Sequence, residues 1–150
     1  MRNLRMRGFT LIELIVVIAI IGVLAAILVP MMMGYVGDSR YSTANSNAKL
    51  AYTNTATWCT KSELYGMSPA NISGAEVNLA TDPGGTIYSG TEADLKLALV
   101  DLMGGRSGSG QAKIDVLNSS PVNAKWRKSS SDTYVGQYPQ AATKNSTVSW

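Results

Sequence analysis

The sequence predicts an α+β protein in which a long N-terminal α-helix, membrane-spanning and then amphipathic, packs on a small C-terminal antiparallel β-sheet. Three observations predict this. Residues 14–29 carry only aliphatic side chains and glycine. Farther on, Tyr41, Ala44, Ala48, Ala51, Thr55, Trp58 and Ser62 recur at spacings of three and four, which places them on one helical face. Toward the C-terminus, apolar and polar residues alternate in short stretches bounded by turn residues.

With Phe9 and the methionines Met31, Met32 and Met33, the apolar run extends over roughly 25 residues, or about 37 Å of helix at 1.5 Å per residue. That is enough to cross a hydrocarbon core of about 30 Å. A buried core helix is the competing reading, but a chain of 150 residues cannot cover a helix that is apolar on every side. Arg2, Arg5 and Arg7 precede the run with no acidic residue among them. The N-terminus is therefore expected on the cytoplasmic face and the remainder outside. A cleaved secretory signal ending near Ala25-Ala26 is the alternative, yet the run continues through Ile27, Leu28 and Val29 without a polar break.

Beyond Pro30 the narrow stripe takes over, and Arg40, Asn45, Asn47, Lys49, Asn54 and Lys61 between its members define a wet face. Pro30, Gly34 and Gly37 can bend this helix without ending it. One rod from residue 9 to about 63 would be roughly 80 Å long. Residues 65–90 are rich in Gly, Ser, Pro, Asn and Thr and read as a surface loop, with Asp82-Pro83-Gly84-Gly85 as a turn and a short strand near residues 86–88. Thr91 and Asp94 form a capping-box-like start for a helix through Leu95, Ala98, Leu99 and Leu102, stopped at Gly104-Gly105. After a linker at residues 104–110, strands are expected at 112–117, 124–128, 133–138 and 146–150.

Composition removes most enzyme classes. The chain has no histidine and one cysteine, Cys59, so it offers no internal disulfide, no zinc cluster and no histidine-based proton transfer. Cys59, beside Trp58 on the helix, reads as a small buried hydrophobe. The formal charge of +3 comes from the leader, because basic and acidic residues balance at ten each from residue 9 onward. No metal site and no cofactor is expected. Asp82, Asp94, Asp101, Asp115 and Asp132 lack calcium-loop spacing.

Glu13 is the residue that demands an explanation. A carboxylate inside a spanning helix costs on the order of 3 kcal/mol at mid-membrane, and no lysine or arginine stands near it on the apolar side. Solvation in the headgroup zone is the plain reading. The functional one asks which cation could meet it. A cut after Gly8 would make the Phe9 amine a new N-terminus four residues before Glu13, on the same helical face. The carboxylate would offset both that buried charge and the helix dipole, within one chain or between neighbours.

The stretch Arg7-Gly8-Phe9-Thr10-Leu11-Ile12-Glu13, followed by the aliphatic run to Pro30, resembles the class III signal of type IV prepilins and of their pseudopilin relatives. The likeness covers roughly residues 5–35 and matches in order and spacing. It implies a cleaved leader, residues 1–8; a transmembrane and filament-core helix, 9–33; the amphipathic half of the same helix, 34–63; and a globular head, 64–150. It implies that a prepilin peptidase cuts between Gly8 and Phe9 and methylates the Phe9 amine. Phe9 and Glu13 would then form the contact between subunits. The segment between Gly22 and Pro30, both weak helix positions, would loosen in the filament. Met31 to Met33 fit as adaptable packing between helices. Many such proteins fasten the C-terminal region with a disulfide. This one has to use packing and hydrogen bonds.

Other motifs carry less. The glycine-rich 104–110 segment lacks the Lys-Ser/Thr of a phosphate loop. Lys125-Trp126-Arg127-Lys128 could touch nucleic acid, but alternation along a strand with Trp126 inward explains it equally. Tyr134, Tyr138 and Trp150 could present an aromatic surface to polysaccharide, though small sheets bury such residues. Asn71-Ile72-Ser73, Asn118-Ser119-Ser120 and Asn145-Ser146-Thr147 match the N-glycan pattern, which is common by chance.

The resulting expectation is a type IV pilus subunit and not an enzyme. It would be a single-pass membrane precursor and then part of an extracellular fibre, a homopolymer of pilin subunits. Its partners would be prepilin peptidase, an assembly platform with its ATPase, membrane lipid before assembly and, at lower weight, DNA or polysaccharide. A secretion or competence pseudopilin is the alternative within the class. A bitopic membrane-anchored binding protein that does not polymerise is the alternative outside it.

Overall fold

The computed structural model describes residues 8–81, 88–104 and 110–150. The arginine leader, the turn at residues 82–85, most of the expected strand at 86–88 and most of the glycine linker lie outside them. The order of elements is α1 (Leu11–Leu64), β1 (Ile72–Asn78), α2 (Glu92–Leu102), β2 (Gln111–Leu117), β3 (Ser120–Arg127) and β4 (Gly136–Tyr138). The chain divides into a unit ending at Gly37 and a second unit, Asp38–Trp150.

In the first unit α1 runs through Pro30 without a break in assignment. The missing N–H of proline costs that helix one internal bond. Every residue from 8 to 33 is exposed.

In the second unit α1 buries Ala44, Ala48, Ala51, Thr55, Trp58, Cys59 and Ser62. This is the expected stripe, with Tyr41 half-buried at its end. Its members are mostly small, so the sheet can approach the helix closely. The sheet is an antiparallel meander in the order β1-β2-β3-β4. Alternate residues point at the helix: Ile72, Ala75 and Val77 from β1, Ala112, Ile114 and Val116 from β2, and Ala124 and Trp126 from β3. The β2–β3 hairpin turns at Asn118-Ser119, both at positive φ of 50° and 59°, the geometry whose twist matches flanking strands.

Two strand expectations change. Residues 72–78, read as loop, form β1. The period-two pattern that would have revealed it is interrupted by a bulge between Ile72 and Ala75. There Gly74 adopts φ 66° and its N–H donates to Asp115 Oδ1 at 2.6 Å. Residues 146–150, read as a strand, join no ladder. They are held by side chains instead: Lys125 Nζ donates to the Ser149 carbonyl at 2.6 Å, and the Arg127 guanidinium lies 3.9 Å from the centre of the Trp150 ring. The stretch expected at 133–138 contributes only three residues to the sheet.

α2 begins as its sequence indicates, with the Thr91 side chain accepting the Asp94 N–H. The Asp94 carboxylate is 1% exposed and turns inward. It accepts Trp58 Nε1–H at 2.9 Å, Gly90 N–H at 3.0 Å and the Tyr88 N–H. One buried acid thus joins α1 to the approach of α2.

A further correction concerns Asn45, expected on the wet face. It is half-buried. Its Oδ1 accepts the N–H groups of Gln137 (3.0 Å) and Ala142 (2.9 Å), and its Nδ2 donates to the Ala142 carbonyl at 2.8 Å. Next to it β4 crosses α1 so closely that a Cβ on Gly136 would overlap the backbone of Ala44 and Asn45. On either side of Gly136, Tyr134 meets Tyr41 edge-on and Tyr138 meets Tyr52 edge-on, with centroids 5.1 and 4.9 Å apart.

Asn45→Ala should lower the unfolding free energy by about 3 kcal/mol, since two N–H groups and a carbonyl lose their partner. Gly136→Ala should cost at least about 2 kcal/mol by overpacking against backbone. Denaturant unfolding of the detergent-solubilised chain, followed by tryptophan fluorescence, measures both.

Cys59 is buried. Burial first, and the nearby Glu63 charge second, push its thiol from 9.0 up to about 11. The folded chain therefore holds that proton more tightly than the unfolded one. This contribution to stability is intact below pH 9 and is lost as pH rises toward 11. A maleimide at pH 8 should label Cys59 only after unfolding.

Candidate functional site

The site to which the sequence points is the first turn of α1. The first intrahelical bond runs from Leu14 N–H to the Thr10 carbonyl at 3.3 Å, so Thr10 caps the helix. Its Oγ1 accepts the Glu13 N–H at 3.4 Å, while Glu13 Oε2 accepts both the Thr10 N–H at 2.8 Å and the Thr10 hydroxyl at 2.6 Å. This is a reciprocal capping box. The Thr-x-x-Glu spacing was legible in the sequence, but reading Glu13 through its charge alone passed over it. The carboxylate thereby sits at the positive end of the helix dipole with Oε2 held by both Thr10 donors.

Around this polar knot the surface is apolar. Phe9, Ile12, Glu13, Val16 and Val17 line a shallow depression, and Phe9 is 80% exposed. Gly8 lies just outside the helix, and a Cβ there would meet nothing within 4 Å. The fold itself gives no reason for glycine at that position. Gly22 likewise has open space around it, and the helix continues through it and through Pro30. The stretch is long and apolar enough to cross a membrane, and none of it is covered by the rest of the chain.

The remaining candidates are dispersed. Trp126 faces the core, and Lys125 and Arg127 are engaged with Ser149, Gln111 and Trp150. Lys128 lines a different cleft with Arg40 and Tyr134, so the Lys125–Lys128 cluster is split between faces. Tyr134, Tyr138 and Trp150 are half-buried, packed against Tyr41, Tyr52 and the Arg127 guanidinium. Asp94 and Asp115 are each consumed by hydrogen bonds within the head. Among the described residues no group of three His, Cys, Asp or Glu side chains could hold a metal ion.

Comparison with known proteins finds relatives of this stretch and of most of the chain. The family model described as the prokaryotic N-terminal methylation motif matches residues 3–29. The chain is 44% identical over 63 residues to the type IV major pilin protein PilA of Myxococcus xanthus, covering 42% of this chain and 29% of that protein. It is 56% identical over 36 residues to the type IV major fimbrial protein FimA of Dichelobacter nodosus, covering 24% of this chain and 23% of that protein. No solved structure matches it. With fimbrial protein Q of Moraxella bovis it shares 33% identity over 117 residues, 78% of this chain and 71% of that protein. That match extends well into the head, and together with the methylation motif and the helix-on-sheet fold it places the chain in the type IV pilin family.

Proposed function

We propose that the chain is a structural subunit of a type IV pilus, inserted with its N-terminus in the cytoplasm and later packed helix against helix in a fibre. The observation that carries this reading is the apolar half of α1, exposed at every residue from 8 to 33 with a capped glutamate at its start. Such a surface needs lipid or other copies of itself to cover it. The relatives named as major pilin and fimbrial proteins favour a pilus subunit over a secretion pseudopilin.

In this proposal a prepilin peptidase cleaves between Gly8 and Phe9 and methylates the new amine. Gly8 outside the helix leaves that bond sterically open. The cut places a cation one residue before the Thr10 N–H, which already donates to Glu13 Oε2. Glu13 is thus held where a trimmed amine, its own or a neighbour's, would meet it. In lipid an unpaired carboxylate costs about 3 kcal/mol, and pairing with a neighbouring subunit's Phe9 amine removes that cost while setting the register. Gly22 and Pro30 give the helix its weak points for rearrangement during assembly. An assembly platform and ATPase supply the work of extraction. The role of this chain is structural and not catalytic.

Two measurements test the reading. Mass analysis of the native product should find a chain beginning at N-methylated Phe9; a start at Met1, or beyond Ala26, contradicts it. Glu13→Gln retains an acceptor for the Thr10 cap but loses the charge. It should permit insertion and trimming while reducing fibre yield about tenfold, the effect of losing roughly 1.4 kcal/mol per contact. Parental yield from this variant would assign Glu13 to capping alone.

A further inference from the structure

We propose that a cleft on the head, between α1 and the end of β3, binds the phosphodiester headgroup of an anionic phospholipid in the leaflet that α1 leaves, and so clamps the head to the bilayer until the subunit is extracted. The proposal rests on the membrane-inserted precursor of the reading above. The cleft, about 280 Å³, lies wholly within the second unit. Ser39 and Arg40 of α1 line it together with Trp126, Lys128, Asp132 and Tyr134.

Arg40 and Lys128 are both exposed, and neither has a hydrogen bond or ion pair among the described residues. The Arg40 guanidinium lies over the Tyr134 ring, 5.2 Å from its centroid, which steadies it and leaves its N–H edges for an anion. One acid shares the lining. Asp132 Oδ1 accepts the Tyr134 N–H at 3.0 Å, so this carboxylate shapes the loop that carries the ring. Asp38, two positions before Arg40 and about 200° away around the helix, lines a different groove. Lys125 and Arg127, the neighbouring cations of β3, are tied to Ser149, Gln111 and Trp150. The cleft thus holds two unpaired cations against one acid that is already engaged.

The place of Arg40 in the chain selects the ligand. It follows Met33, where the continuous exposed apolar stretch ends, by seven residues of α1, about 10 Å of helix. Side chains on a helix lean toward its N-terminus, so Arg40 reaches back toward the edge of the hydrocarbon core. There the headgroup layer is roughly 5–7 Å deep and carries a phosphate on every lipid. A long basic side chain reaches such a phosphate while its stem stays on apolar surface, and each basic group near an anionic membrane adds to the attraction. Tyr134, half-buried in the wall, is the kind of ring that settles at this interface. A nucleic acid would need a row of free cations along its backbone, and the cleft offers two.

The test uses the full-length chain with a bimane on Thr133→Cys, an exposed neighbour of the cleft; Cys59 is buried and stays unlabelled. It is reconstituted in phosphatidylcholine vesicles with and without phosphatidylglycerol, both containing a lipid with a nitroxide on its headgroup. Quenching, which reports contact between the head and the headgroups, should rise several-fold with phosphatidylglycerol. Arg40→Gln combined with Lys128→Gln should weaken that association about thirtyfold, the effect of losing two basic groups near a membrane surface, while Arg40→Lys combined with Lys128→Arg retains it. Quenching that is equal with and without phosphatidylglycerol, or that survives the double glutamine variant, overturns the proposal. So does quenching that dilute inorganic phosphate abolishes and chloride of the same ionic strength does not, since the cleft would then take a free anion. A parental chain that fails to stay with the vesicles through alkaline flotation overturns the membrane-inserted reading and this site with it; one that stays but shows no effect of phosphatidylglycerol removes this site alone.

Discussion

A row of small side chains on α1, Ala44, Ala48, Ala51 and Thr55, sets how near the sheet can come to the helix, and most of the head follows from that distance. Where the row is small, β4 lies directly on the helix backbone, and only Gly136 fits at the crossing. Where Trp58 replaces alanine, its indole fills the deeper space and needs an acceptor for its N–H. The buried Asp94 supplies it and at the same time holds Tyr88 and Gly90. Side-chain size along one face thus grades the core from a tight end to a deep one.

The tight end also answers how a head without a disulfide holds its C-terminal region. Asn45 satisfies three backbone groups of residues 137–142 from a single side chain, and Tyr134 and Tyr138 flank the helix against Tyr41 and Tyr52. Arg40 and Lys49 lie over the faces of those same two tyrosines. Each contact is modest alone. Together they fix a segment that the ladder itself holds over only three residues.

At the membrane end a different rule applies. There α1 has no layer of its own chain to cover it, so its partners must be lipid or other helices. Glu13 is tolerated in this setting because the capping box already engages it. A carboxylate occupied at a helix start is polar without being unsatisfied.

The sequence by itself determined the elements whose signals are local. A run of aliphatic residues too long for a small core, a stripe at helical spacing, the Thr91–Asp94 start of α2 and the motif from Arg7 to Glu13 each lie within one stretch of chain, where periodicity and spacing carry the information. Only the tertiary structure decided the rest. It turned Asn45 from the wet face toward residues 137–142, buried Asp94 against Trp58, made β1 a strand across its bulge and left residues 146–150 outside the sheet. Each of these depends on a partner more than twenty residues away or on the loss of a period-two pattern, and a linear pattern cannot register either. Burial acts between segments that the chain brings together only when it folds.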